Sequence, residues 1–327
     1  MPVIDLTTVA RREPGPAVPA PPPPRRLPID AAPRRIGLTL PELQHAALLA
    51  GGAPLPFEVA PPTAADAMQS RLGSSPTTTD DQAYRAAVAS LHQPAESLAR
   101  RGLLTDGRLD AGLAGAIGLL AAPRVALDVD VRMAGVQAKV WHRQETRAVA
   151  SLATVDGIVF ELGWFAADAW VGELARVAAL SEDLVLGSSA VPSYVDLPFE
   201  LADAAAEAVR VGRGDLLAVL AARHSGAVRG PAGPLTDDAV ARLLTALSGE
   251  AQGRLRALVA DVSGAEVDTV GVVSWTLLAD GWRALRPHEE DGVARLEVRS
   301  VTPGDLGAVV APVLAPLLTG VSGEAAR

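Results

Sequence analysis

The hydrophobic pattern of the chain changes period twice along its length, and this change most constrains the fold. Apolar residues occupy every odd position from Val125 to Val131, and the alternation continues from Val136 to Val140. Such a period predicts strands with one buried face, whereas the segments before and after follow a helical period. The order helix, four strands, helix then occurs again late in the chain. Connections between neighbouring strands are too short for crossover helices, so we expect antiparallel pairing.

Two hairpins are predicted in the first set of strands. Ala134-Gly135 fits a two-residue turn, and Asp156-Gly157 is a stronger signal for a tight hairpin. The register of the first hairpin sets Asp130 opposite Lys139, the only lysine in the sequence, which predicts a structural cross-strand ion pair. The late strands are predicted at Leu255–Val262 (where a helix fits almost as well), Val267–Leu277, Trp282–Arg286 and Ala294–Val298.

Helices are predicted from caps and from apolar residues at helical spacing. Thr39 is a plausible cap where a short strand runs into the first helix, and Asp110 precedes another. Pro94 is expected to bend or interrupt a helix that begins at Asp80. Further helices are predicted at Asp168–Leu180, at Asp196–Val211 with Asp196 as its cap, at Asp215–His224, at Asp237–Leu247 and after Pro303.

The proline distribution separates a tail from the folded part. Residues 1–34 hold 10 of the 26 prolines, a composition that favours extended polyproline II and cannot bury a core. We expect a disordered tail there, with a proline-motif ligand as the alternative. Residues 35–320 are predicted to form one α+β domain of two similar halves, about 35–180 and 181–320, followed by a short tail at 321–327.

Composition excludes several classes of protein. The 29 basic and 38 acidic residues give a net charge of −9, which argues against nucleic-acid binding. The absence of cysteine excludes disulfides and thiolate metal sites. The N-terminus has no apolar signal region, and the uncharged run Leu306–Gly323 contains two prolines, so a terminal core helix is favoured over a membrane span. We therefore expect a cytoplasmic protein without membrane insertion.

No catalytic constellation stands out in the sequence. Phosphate-binding, dinucleotide-binding, zinc-protease and nucleophile-elbow motifs are absent, and the five histidines are scattered. We therefore predict no enzyme activity, no cofactor and no metal. An enzyme of unrecognised type remains an alternative, which a deep polar pocket joining distant acids and histidines would support.

One tryptophan is a candidate contact residue. Trp141 shares the polar face of its predicted strand with Gln137, Lys139 and Arg143, in a chain that is only 3% aromatic. Tryptophan and arginine are enriched at binding hot spots, so an exposed Trp141 would point to a partner. The alternative is that a helix covers that face and buries the ring.

Several ordered segments resemble the EspG family, which are cytosolic chaperones of type VII (ESX) secretion in actinobacteria. The resemblance spans about residues 35–320 and rests on the set rather than on any one motif. The matching segments are Ile36–Leu43, Ala53–Phe57, Leu98–Leu104 with Gly107–Asp110, Ala122–Val131, Tyr194–Pro198, and Val273–Thr276 with Asp280–Trp282. The proline-rich tail is an addition, and the turn between Met133 and Val136 is shorter than the long substrate-binding loop of characterised members.

The resemblance implies a quasi-two-fold α+β fold, with a central, mainly antiparallel sheet and a helical bundle. It implies no catalysis, and a PE–PPE-like heterodimer of secreted helical proteins as the partner. We expect the partner to bind the exposed sheet face, the hairpin at Met133 and Val136, and the start of the bundle. Trp141 and Arg143 are the expected anchors, with Tyr194 and Leu197 as secondary contacts. A scaffold that binds through the tail, and a homodimer, stay open.

Overall fold

The structure is a computed structural model that describes residues 33–58, 93–182, 184–264 and 266–319, with side chains up to residue 314. The predicted tail falls outside these residues except at its last positions, and so does the predicted helix from Asp80 up to residue 92. Pro94 does not bend a helix within the described part of the chain. It opens one, because a missing backbone N–H is tolerated in the first turn.

The first strand and helix form as the sequence predicts. At their junction the hydroxyl of Thr39 accepts the backbone N–H of Glu42 at 3.4 Å, and the carboxylate of Glu42 accepts the N–H of Thr39 at 2.8 Å. This reciprocal capping box satisfies two helix-terminal donors that would otherwise lack partners. The described helices are α1 (Leu40–Leu49), α2 (Pro94–Arg100), α3 (Ala111–Ala121), α4 (Trp170–Val177), α5 (Phe199–Arg210), α6 (Leu217–Arg223), α7 (Asp237–Gly249) and α8 (Asp305–Thr319).

Most described strands belong to one twelve-stranded sheet. The strands are β1 (Arg34–Thr39), β2 (Leu104–Thr105), β3 (Arg108–Leu109), β4 (Val125–Met133), β5 (Val136–Glu145), β6 (Ala148–Thr154), β7 (Val159–Ala166), β8 (Tyr194–Pro198), β9 (Arg229–Gly230), β10 (Gly233–Pro234), β11 (Gly253–Asp261), β12 (Asp268–Leu278), β13 (Gly281–Glu290) and β14 (Val293–Ser300). Their order in the sheet is β1-β7-β6-β5-β4-β11-β12-β13-β14-β8-β9-β10, and β2 pairs separately with β3. The expected antiparallel pairing is confirmed for neighbours such as β1/β7 and β14/β8.

The internal repeat predicted from element order is also present. In each half a strand runs directly into a helix, namely β1 into α1 and β8 into α5. Among the described elements, a further helix (α2 or α6) and a hairpin of two-residue strands follow in each half. A helix, a four-stranded meander and a last helix complete the order. The first strand of each half pairs with the last strand of its meander, β1 with β7 and β8 with β14. The fold is therefore α+β with a large antiparallel sheet and a repeated element order.

The described residues form two compact units. Unit 1 comprises those up to residue 126 together with 140–168 and 261–268, and unit 2 comprises 127–139, 169–260 and those from residue 269 onward. The core of unit 1 combines aliphatic side chains with three aromatic rings: Phe57 stacks on Phe160 with ring centroids 5.1 Å apart and lies tilted against Trp141, also at 5.1 Å. In unit 2 the core between β8 and helices α5, α6 and α7 consists of buried aliphatic side chains, among them Val195 and Leu244.

Two local predictions need correction, and one ambiguous prediction is confirmed. Asp196 does not cap a helix; it lies in β8, and α5 begins only after Pro198. The Asp156–Gly157 turn is wider than two residues, because the Asp156 carboxylate accepts the N–H groups of Ile158 and Val159 and holds a four-residue loop open. The predicted strand at Leu255–Val262 is confirmed as β11, Gly253–Asp261, and the alternative of a helix there is excluded.

Candidate protein-binding surface

The hairpin tip of β4 and β5, residues 133–136, matches the predicted tight turn. Ala134 and Gly135 both adopt positive φ, at 48° and 80°, as a two-residue turn of this type requires. This conformation strains Ala134 but suits Gly135. Val136 is 52% exposed and Met133 is half-buried, so the tip presents aliphatic surface in unit 2.

Polar side chains link β4 and β5 next to the hairpin tip. Arg132 donates to the amide oxygen of Gln137 at 3.0 Å, and the amide nitrogen of Gln137 donates to Asp130. Burial lowers the pKa of Lys139, and the Asp130 carboxylate opposes part of that shift. The predicted pairing of Asp130 with Lys139 is thus present as an electrostatic contact across the hairpin.

Trp141 and Arg143 are not exposed, so the prediction of surface anchors is wrong. Trp141 is 2% exposed and Arg143 is 7% exposed. Leu43 of α1 and Ile117 of α3 belong to the same buried cluster as Trp141, so helices of unit 1 cover the face that the alternation marked as polar. The guanidinium of Arg143 donates to the backbone oxygen of His142 at 3.0 Å. Neither side chain is available to a partner in this structure.

The two residues predicted on β8 lie on opposite faces of the sheet. Leu197 is fully buried in the aliphatic core of unit 2, so its predicted role as a contact is wrong. Tyr194 is half-buried on the other face, where the guanidinium carbon of Arg299 lies 5.6 Å from the ring centroid. That distance and position fit a cation–π contact. Tyr194 thus remains an accessible candidate.

Sheet order keeps Tyr194 well away from the hairpin tip. Going from β4 through β11, β12, β13 and β14 to β8 takes five strand spacings, about 24 Å at roughly 4.8 Å each. The predicted residues therefore do not form one cluster. At the start of α5 it is Phe199, 42% exposed, that presents apolar surface. Sequence reasoning missed it because the helix was predicted to begin at Asp196 rather than after Pro198.

A buried ion network holds β8 in place. The carboxylate of Asp196, 2% exposed, lies 2.8 Å from the Arg295 guanidinium and 3.1 Å from the His288 ring. Arg229 reaches the same carboxylate at 3.7 Å and pairs with Glu290 at 2.6 Å. The hydrogen bonds from Arg229 lower the pKa of Glu290. Each charge of this network has a partner within it, so it serves to join β8, β9, β13 and β14.

The described residues give no indication of a metal site or of a membrane span. None of them forms a group of three or more histidines and carboxylates that could hold a metal ion. A shallow groove of about 580 Å³ in unit 2 is lined mainly by small residues, including Ala218, Ala241 and Ala246, with Arg242 at its side. No helix among the described residues has the length and apolarity needed to span a membrane.

Comparisons with known proteins agree with the fold. No family model and no curated protein matches the sequence. Among solved structures, the chain is similar to the Mycobacterium tuberculosis type VII secretion system chaperone EspG5, whose structure is of a complex with a PE25–PPE41 dimer. The TM-score is 0.54 at 13% identity, over 86% of this chain and 96% of that chain. The chain therefore has an EspG-like fold.

Proposed function

We propose that the protein is a chaperone of type VII secretion that binds a PE–PPE-like pair of helical proteins in the cytoplasm. The observation that carries the proposal is the EspG-like fold, which extends over nearly the whole length of a chaperone whose structure contains such a pair. In this role the protein would cover apolar client surface that would otherwise aggregate. It would require no cofactor and no catalysis.

The hairpin tip is the proposed primary contact. Its aliphatic surface is exposed although Val136 belongs to a well-formed strand, and the backbone around it is fixed by the turn. A rigid apolar projection of this kind costs little conformational entropy on binding. Tyr194 is the proposed secondary contact, and Phe199 adds apolar surface near the start of the bundle. A standard-size interface would bury about 800 Å² on each partner.

Co-expression tests the proposal directly. The tagged chain is produced together with each PE–PPE pair encoded in the same genome, and soluble complexes are recovered and measured by sedimentation. We expect one pair to be retained with a stoichiometric ratio and to lose solubility without the chain. Failure of every pair to bind at micromolar concentration would contradict the proposal.

A matched pair of substitutions tests the hairpin tip. Val136→Asp should weaken client binding about tenfold or more, since a carboxylate would be desolvated in the interface. Val155→Asp is the control, because Val155 is similarly exposed, at 63% against 52%, but lies in the β6/β7 loop of unit 1. Equal affinities for the two variants would remove the tip from the binding surface.

A further inference from the structure

One stretch of the sheet in unit 2 has an uncovered face. In β11 the odd positions Leu255, Ala257 and Val259 are buried, whereas Arg254 and Arg256 are exposed. Because i and i+2 share a face of a strand, both guanidinium groups lie on the same side. The neighbouring strand β4 repeats the pattern, with its odd positions buried and Arg132 exposed. We call the uncovered side of β4, β11 and β12, together with the first part of β5 (136–139), the open face.

The backbone of β11 lies directly against β4 at this point. A Cβ atom built on Gly253 would sit 2.5 Å from the backbone oxygen of Arg132, so only glycine fits there. This close approach places Arg254 beside Arg132 on adjacent strands. Lys139 follows on β5 across the hairpin, next to Asp130. The open face therefore begins immediately beside the hairpin tip.

On β12, which lies on the far side of β11 from β4, the open face carries exposed valines. Val270 and Val272 of β12 are 37% and 56% exposed. Between them, Gly271 points to the opposite face, where a Cβ would meet the Val313 side chain of α8 at 2.6 Å. Helix α8 thus covers one face of β12 at this position and leaves the valine face free.

The open face also adjoins the helical bundle. Ser274 of β12 pairs with Leu285, which pairs with Val298 and then with Val195 on β8. Leu285, Val298 and Val195 belong to the core beneath α5, α6 and α7, and Ser274 shares its face with Val272. The bundle therefore covers β13, β14, β8 and the end of β12 at Leu278 on this side of the sheet. Arg254 and Arg256 of β11 and Val270 and Val272 of β12 remain exposed.

The charge of this face is opposite to that of the chain. Arg132, Lys139, Arg254 and Arg256 supply four cations. Asp128 and Asp130 of β4 and Asp268 of β12 supply three acids, which leaves an excess of one positive charge on this face in a chain of net −9. Within the described part of the chain, neither Arg254 nor Arg256 lies within ion-pair distance of a carboxylate. By contrast, exposed arginines of the bundle such as Arg210 and Arg213 pair with neighbouring acids at 2.6 and 2.8 Å.

We infer that the open face is a docking site for a client segment that carries carboxylates beside aliphatic side chains. The cations would pair with the carboxylates and the valines would pack against the aliphatic groups, in one continuous strip from the hairpin tip to the bundle. Charge complementarity of this kind raises association rates and suppresses wrong partners. The inference rests on the proposed chaperone function, and it specifies the chemistry of the partner.

The test is a charge reversal with a charge-matched control. Arg254→Glu with Arg256→Glu changes the net charge from −9 to −13, because each substitution subtracts two charges. Arg108→Glu with Arg147→Glu makes the same change at exposed positions of unit 1. Association of each variant with the PE–PPE pair recovered with the wild-type chain is measured by stopped flow at low and high ionic strength, and thermal unfolding confirms that both variants fold.

We expect the open-face variant to associate at least about tenfold more slowly at low salt, with the difference shrinking as added salt screens the charges. The control should stay within about twofold of the wild type. If the pair binds both variants alike, the inference is wrong while the proposed function stands. If no pair binds the wild-type chain, the proposed function fails and the inference with it. If the open-face substitutions abolish self-association of the chain instead of slowing client binding, or if a DNA duplex competes with the client, the face binds a different partner and the inference is wrong.

Discussion

Strands β5 and β11 have the same alternating pattern, but the side marked as polar is buried at Trp141 and Arg143 of β5 and exposed at Arg254 and Arg256 of β11. In β5, Trp141 and Arg143 occupy the side that the alternation marks as polar, yet both are buried, and unit 1 helices pack over Trp141. In β11, Arg254 and Arg256 occupy the side that reads as polar, and it stays uncovered. Alternation therefore assigns residues to two faces of a strand but does not tell which faces another layer covers. The candidate client-binding surface therefore lies at the hairpin tip and the open face, and not at Trp141.

The largest expected effect is a difference in the free energy of unfolding between substitutions on β5 and substitutions on β11. Trp141→Ala should destabilise the protein by about 3–5 kcal/mol, because it leaves a cavity beside Phe57 and Phe160. Arg254→Ala and Arg256→Ala should each change the free energy of unfolding by no more than about 0.5 kcal/mol. Denaturant unfolding measures both. A Trp141→Ala variant of nearly wild-type stability would restore the exposed position that the sequence suggested.

A second contrast concerns buried and exposed carboxylates. Asp196→Ala should cost about 3 kcal/mol, since it removes the nearer carboxylate partner of the buried Arg295 guanidinium, at 2.8 Å, and leaves Glu290 at 3.4 Å as the remaining one. Asp215→Ala removes an ion pair with Arg213 at the same 2.8 Å, but both groups are exposed, so the free energy of unfolding should fall much less than for Asp196→Ala. Similar losses for the two variants in urea unfolding would mean that burial does not distinguish them.

Replacing two glycines by alanine should change the free energy of unfolding in opposite directions. Gly253→Ala forces a methyl group against the Arg132 backbone oxygen and should cost about 1–3 kcal/mol. Gly115→Ala lies in the exposed interior of α3 with nothing near its Cβ, so it should stabilise by about 0.5–1 kcal/mol. Thermal unfolding would show one midpoint lowered and one raised. A neutral Gly253→Ala would contradict the close approach of β4 and β11.

The cap of α1 gives a smaller, pH-dependent effect. Burial tends to raise the pKa of Glu42, but hydrogen bonds from Ser97 and Thr39 and the nearby Arg101 outweigh it and lower that pKa. The ionised side chain therefore stabilises the fold above the ordinary glutamate pKa, and this contribution is lost as pH falls through the lowered value. Glu42→Gln should cost about 1 kcal/mol at neutral pH and less in acid. An equal cost at both pH values would exclude the ionised cap.

The smallest effect is expected outside the described residues. Removing residues 1–32 should leave both the unfolding free energy and client affinity unchanged, because β1 begins only at Arg34. Loss of a bound partner on this deletion, with binding to the hairpin tip intact, would favour the alternative of a scaffold that binds through its proline-rich tail.

Local rules predicted most of the fold and little of the surface. The capping box at Thr39, the turn at Ala134-Gly135 and the four late strands follow from residue type and spacing over a few positions. Burial of Trp141 depends on Leu43 and Ile117, which lie far away in sequence. Asp196 looked like a helix cap because Pro198 follows it, and its partners Arg295 and His288 come about a hundred residues later. The alternation of Arg254 and Arg256 with buried residues is visible in the sequence, but only the structure shows that both arginines are exposed.

The most direct test of the proposed binding surface uses Lys139, the only lysine in the sequence. It lies on the open face beside the hairpin tip, and its lowered pKa increases the fraction of reactive neutral amine. An amine-reactive diazirine attached there, followed by illumination with the PE–PPE pair and mass spectrometry, should link the Lys139 peptide to the client. The Lys139→Arg variant should give no such link. An intact complex in which labelled Lys139 links to nothing in the client would contradict binding at this surface.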